Sequence, residues 1–90
     1  MELKEEKLSR AISAFSRRQI LRLLADKELT VKEIAEKTSQ SVSLASRHLK
    51  LLYDLGFLTV RREFPHKFYS LKIKELKQLL VIYDKVLGKL

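Results

Sequence analysis

Ninety residues with a net charge of +8 and no cysteine describe one small, basic domain. The missing thiols exclude disulfides, thiolate metal sites and a cysteine nucleophile. No apolar run approaches the roughly 20 residues of a membrane span, and the charged start MELKEEKLSR is unlike a signal peptide. A cytoplasmic domain is expected, small enough that self-association would be a useful supplement to its stability.

In chain order, residues 3–14 carry Leu8, Ala11, Ile12 and Phe15 at helical spacing and predict a first helix. Ser16, with Gln19 three residues on, has the pattern of a reciprocal cap and opens a second helix. Its buried side is Ile20, Leu21, Leu23 and Leu24, and Ala25-Asp26-Lys27 ends it. Thr30 and Glu33 repeat the capping pattern for a third helix with Ile34 and Ala35 inward. The polar run Thr38-Ser39-Gln40-Ser41 breaks that helix and offers Ser39 or Ser41 as cap for a fourth, about residues 42–55. Gly56 stands where this fourth helix should stop.

From Leu58 the period changes. LTVRREF and KFYSL are rich in β-branched and aromatic residues and flank the only proline, predicting a hairpin of strands 58–63 and 67–71. Residues 72–88 return to helical spacing. Ile73, Leu76, Leu80, Tyr83 and Leu87 form one stripe, with Leu79, Ile82, Val86 and Leu90 beside it. The expected fold is mainly α with a small β-hairpin: a winged helix-turn-helix of four helices, two strands and a fifth helix, forming one domain over residues 1–90.

The fourth helix carries the functional signal. Its spacing sets Ser43, Ser46, Arg47, Lys50 and Asp54 apart from Ala45, Leu49, Leu52 and Leu55. A helix that buries one side and offers Arg, Lys and Ser on the other suits the major groove of DNA. Charge agrees: residues 41–72 hold six Lys or Arg against two acids, residues 1–40 nine against seven, and residues 73–90 four against two. Arg47 and Lys50 are candidates for guanine edges, and Ser43 and Ser46 for bases or backbone. Gln40 and Ser41 lie at the helix start, where they could serve a phosphate, though Ser41 could equally be a cap alone. On the hairpin, Arg61, Arg62, His66 and Lys67 are further candidates. Successive strand residues face opposite ways, so one of the two arginines should reach DNA while the other pairs with Glu63 or Asp54.

Other functions have little support. The chain has two glycines, no phosphate loop and no nucleophile–His–acid set, so no enzyme is expected. His48 falls near the apolar side of its helix, and two histidines so far apart make a poor zinc site. The wide apolar surface of the last helix serves either the domain's own core or a second copy of the chain. The reading taken is a homodimer using Leu3, Leu8, Ile12, Leu76, Leu79, Leu80, Tyr83, Val86 and Leu87. Two alternatives stand beside a sequence-specific DNA-binding regulator: a winged-helix module that meets protein or RNA, and a non-specific DNA-coating protein.

The segment from Glu28 to Leu71 resembles the arsenic-repressor-type (ArsR-like) winged-helix transcription regulators. The resemblance rests on Ser46-Arg47-His48-Leu49-Lys50-Leu51-Leu52, on Gly56 and on Tyr69-Ser70-Leu71. It implies a homodimer joined through the first and last helices, a recognition role for the fourth helix, and operator binding that usually represses. Metal-sensing members carry cysteines in the third-helix segment, where this chain has Thr30 and Lys32, or His and carboxylates on the last helix, where it has Ile73, Glu75, Val86 and Lys89. No metal or other cofactor is therefore expected. Ser39 stands where the family usually has glycine, Gln40 where an apolar residue is usual, and Pro65 where the wing tip usually has glycine.

Overall fold

The computed structural model describes residues 1–90, and its elements follow the two hydrophobic periods of the sequence. They are α1 (Lys4–Ile12), α2 (Phe15–Leu24), α3 (Val31–Lys37), α4 (Val42–Asp54), β1 (Leu58–Glu63), β2 (His66–Leu71) and α5 (Glu75–Gly88). Together they form a winged helix-turn-helix. The strands pair antiparallel, with Leu58 opposite Leu71 and Glu63 opposite His66. Leu29 adds one bridge on the far side of β2: its N–H donates to the Tyr69 carbonyl at 3.0 Å and its carbonyl accepts from Tyr69 at 2.8 Å.

One core gathers every element. Ala11 from α1, Ile20, Leu21 and Leu24 from α2, Ile34 and Ala35 from α3, and Ala45, Leu49 and Leu52 from α4 are buried together. Leu58, Leu71, Leu76 and Leu80 close it from the hairpin and α5. No helix is long and apolar enough to cross a membrane.

Helix starts show which local signals hold. At α3 the cap is reciprocal: Thr30 Oγ1 accepts from the Glu33 N–H at 3.2 Å, and Glu33 Oε1 accepts from the Thr30 N–H at 2.9 Å. At α4, Ser41 rather than Ser39 is the cap, accepting from the Leu44 N–H at 3.0 Å. The Ser16–Gln19 pattern is not a cap. The residue before α2 is Ala14, without a side-chain bond, and the Gln19 oxygen instead accepts from Arg22. The corner between α1 and α2 is held by arginines donating to the free carbonyls at the end of α1, Arg17 to Arg10 at 2.9 Å and Arg18 to Ile12 at 2.6 Å. Phe15, expected on the inner stripe of α1, opens α2 and is exposed, because α1 ends at Ile12.

The turn between α3 and α4 departs from ordinary backbone at one place. Ser39 has φ +55°, in the left-handed region where glycine is easiest. Gly56 takes the same region after α4, with φ +95°.

The last helix divides its two stripes. Leu76 and Leu80 are buried in the protomer's own core and half-buried Tyr83 lies beneath the Arg18 guanidinium, 5.1 Å from its ring centroid. Leu76 and Leu80, expected at the interface, are buried in the protomer's own core where α5 closes over α2; Arg22–Asp84 (2.7 Å) ties α5 to α2 and Lys77–Asp26 (2.6 Å) ties it to the residues just after α2. Leu8 and Ile12 pack partly against that core as well. Leu79, Ile82, Val86 and Leu87 remain exposed on α5, Leu90 is exposed beyond its end, and Leu3 is exposed ahead of α1.

Candidate nucleic-acid interface

Helix α4 is anchored by Ala45, Leu49 and Leu52, all fully buried, and this rotation decides what faces outward. Ser43, Ser46, Arg47 and Lys50 are all exposed. Arg47 has no ion-pair partner within the chain, and Lys50 reaches Asp54 one turn on at 3.1 Å while its side chain stays 77% exposed. An exposed pair at this spacing is worth only about 0.3–0.5 kcal/mol, so a phosphate or base edge can displace it.

The hairpin has two unlike faces. Leu58, Val60, Arg62 and their partners Leu71, Tyr69 and Lys67 share one face, apolar at its base and cationic at its tip. This face looks toward α4. Ser46, Lys50 and Tyr53 from the helix and Arg62, Lys67 and Tyr69 from the hairpin line one groove of about 290 Å³. A second groove, about 540 Å³, lies between the first turn of α3 and β2 and is lined in part by Lys32, Ser46, His66 and Lys67.

The other face holds Thr59, Arg61 and Glu63 opposite Ser70, Phe68 and His66. Arg61 is the wing arginine that pairs with an acid. It meets Glu63 as expected and also Glu28, while Asp54 pairs with Lys50 instead. These bonds, to Glu28 first and then Glu63, hold the Arg61 guanidinium above its ordinary pKa and the Glu28 carboxyl below its own. His66 sits edge-on to Phe68 with centroids 6.1 Å apart.

Gln40 is half-buried, and its side-chain oxygen lies inside the protein without a hydrogen-bond partner. Ser41 is engaged as the cap. His48 is half-buried, and burial first, then Arg17 and Arg47, hold its imidazole below the usual 6.5. No three His, Asp or Glu side chains converge on a point that could hold a metal.

Two exposed side chains beside the cations were not singled out in the sequence. Tyr53 is 48% exposed and follows Ser46 and Lys50 on one helical stripe, so the spacing 46, 50, 53 was the signal available. Phe64, 98% exposed at the hairpin tip beside Pro65, had no signal beyond its place in the turn.

A model of the bacterial regulatory protein arsR family matches residues 16–60. The chain belongs to the arsR family. Among the relatives of this arsR-family chain is the transcriptional activator HlyU of Vibrio cholerae, 33% identical over 79 residues that make up 88% of this chain and 73% of HlyU. A cadmium resistance transcriptional regulatory protein, a CadC homolog of Staphylococcus aureus, is 36% identical over 82% of this chain, which spans 62% of that protein. The homodimeric winged helix-turn-helix DNA-binding domain of Mb0332 from Mycobacterium bovis superposes with a TM-score of 0.83 at 28% identity, over 96% of this chain and 80% of that one. The family and these relatives are transcription regulators, not enzymes.

Proposed function

We propose that this chain is a homodimeric, sequence-specific duplex-DNA-binding regulator. In this reading α4 enters the major groove, the hairpin lies on the backbone or minor groove, and operator occupancy represses. One observation carries it: Lys50 and Ser46 of α4 share a groove with Arg62 and Lys67 of the hairpin, while Arg47 stands exposed and unpaired beside them.

The roles follow from reach and chemistry. Arg47 and Lys50 suit guanine O6 and N7, with Ser43 and Ser46 on bases or backbone. Arg62 and Lys67 suit phosphates, which fix register without reading sequence. Ser41, occupied as a cap, leaves the first backbone N–H groups of α4 for a phosphate. The exposed stripe Leu79, Ile82, Val86 and Leu90 supports self-association through α5, with Leu3 and the α1 flank beside it. A two-fold dimer would offer two copies of α4 to successive major grooves about 34 Å apart. The homodimeric Mb0332 domain supports that arrangement.

Repression is what the family resemblance implies; HlyU, named an activator, supplies the opposite sign, and an operator–reporter fusion with and without the protein separates the two. The reading places the regulator in the cytoplasm and includes no metal. Titration with zinc or cadmium is expected to leave its DNA affinity unchanged.

The test is selection of preferred duplexes from a random pool. A two-fold-symmetric motif with half-sites about one helical turn apart is the expected result. Steep salt dependence shared by random duplex and single strands, with no preferred sequence, would transfer support to a protein- or RNA-binding module.

A further inference from the structure

The upper half of the wing is short of ways to stay in place. Beyond the Leu29–Tyr69 bridge the two strands project with every side chain but half-buried Phe68 exposed, and a two-stranded hairpin alone is only marginally stable. One residue ties this half to the body of the domain. Arg61 Nη2 donates to Glu28 Oε1 at 2.7 Å, and its Nε lies 3.1 and 3.3 Å from the two oxygens of the same carboxylate. Its Nη1 donates to Glu63, and the guanidinium lies over Phe68, 4.5 Å from the ring centroid. Glu28 is adjacent to Leu29, whose backbone bridges β2, and Thr30 next along caps α3. The clamp, the bridge and the start of the helix-turn-helix therefore occupy three consecutive residues.

We propose that Arg61 is a positioning residue: held by Glu28 and Glu63, it fixes the wing against the junction of α2 and α3, so that Arg62 and Lys67 are presented beside α4, and it does not itself contact DNA. This rests on the DNA-binding reading above. Arg61 points to the face opposite Arg62 and Lys67, and its planar fork is already committed to carboxylates and an aromatic ring. Two carboxylates surround one guanidinium, so the cluster would repel a phosphate rather than recruit one. Exposed ion pairs add little to global stability, so the effect belongs to wing orientation.

The charge at Glu28 makes the idea testable by sign. If electrostatics alone governed, Glu28→Gln would remove a negative charge and tighten binding to duplex. With the clamp, Glu28→Gln loosens the wing and weakens binding to the preferred duplex, about three- to tenfold, as do Arg61→Ala and Arg61→Lys, since an ammonium cannot span both carboxylates. The slope of log affinity against log salt stays that of the wild-type chain in all three. Arg62→Ala, the comparison, lowers that slope by about one unit and weakens preferred and random duplex alike.

Amide hydrogen exchange of residues 61–68 in the free, full-length chain gives a readout that needs no DNA. Faster exchange in Glu28→Gln and Arg61→Ala, with the unfolding midpoint unchanged, is the expected result. The assignment is overturned if Arg61→Ala lowers the salt slope by about one unit while Arg61→Lys binds normally, or if Glu28→Gln binds as tightly as wild type and its wing amides exchange no faster. Failure of the wild-type chain to prefer any duplex would instead remove the DNA reading, leaving the clamp to be judged by exchange alone.

Discussion

Helices α4 and α5 bury their inner faces in the same way and differ in one outer stripe. Ala45, Leu49 and Leu52 anchor one, and Leu76 and Leu80 the other, in a single core. Outward, α4 shows Ser43, Arg47 and Lys50, which water solvates well, whereas α5 shows Leu79, Ile82, Val86 and Leu87, which it does not. Apolar surface left in water forgoes roughly 25 cal/mol for every Å² that a partner could cover, so the outer stripe of α5 favours a second protein surface. The outer face of α4 gains from a polyanion instead. Packing of the inner faces decides the fold, and the two outer faces, free of that constraint, separate the partners.

The largest expected effect tests the division within α5. Leu80→Ala should cost about 2–5 kcal/mol in urea unfolding, because it opens a cavity in the protomer's own core. Ile82→Glu, two residues on and on the outer stripe, should leave the helical content intact and weaken self-association by about 2 kcal/mol or more, read by sedimentation across a concentration series. Equal behaviour of the two variants would abolish the distinction between the stripes. On α4, Arg47→Ala should cost about 1–3 kcal/mol on a selected duplex and relax its specificity. Lys67→Ala should weaken preferred and random duplexes together.

Smaller effects test the turns that set the angle of α4. Gly56→Ala meets no atom within 4 Å, so its cost is conformational alone, about 1–2 kcal/mol of stability for a residue held at φ +95°. Thr30→Ala removes one half of the α3 cap and should cost about 1 kcal/mol in thermal or urea unfolding.

The pH dependence is the finest of these effects. His48 is held below 6.5 in the folded chain, so it binds a proton less readily than when unfolded, and the stability it contributes is complete above 6.5. That contribution falls as the pH drops from 6.5 through the folded value, and His48→Gln should flatten the fall in urea midpoint between about pH 7 and pH 5. Glu33, held below the usual 4.5 by the Thr30 backbone and side-chain hydrogen bonds, adds a second decline starting below that value, as the cap is protonated.

Much of this architecture is legible in the residues because its signals are local. The Thr30–Glu33 cap, the glycine after α4, the break at 38–41 and the alternation of the hairpin each act over a few residues, and each appears in the fold. The same kind of signal misleads at Ser16 and Gln19, because α2 already begins at Phe15 after Ala14 and Ser16 lies within its first turn rather than at the cap position. Helical periodicity also separated Arg47 and Lys50 from the core of α4, because burial and exposure follow one rotation about one axis.

Three-dimensional contact decided the rest. Alternation along a strand says that Arg61 and Arg62 point apart, but only the meeting of β1 with Glu28, thirty-three residues earlier, shows which of them is held and which is free. Spacing on α5 yields two apolar stripes of similar strength, and only the approach of α2 selects Leu76 and Leu80 for the core. Short-range pattern is encoded in neighbouring side chains, whereas the choice between equivalent faces depends on what the rest of the chain brings against them.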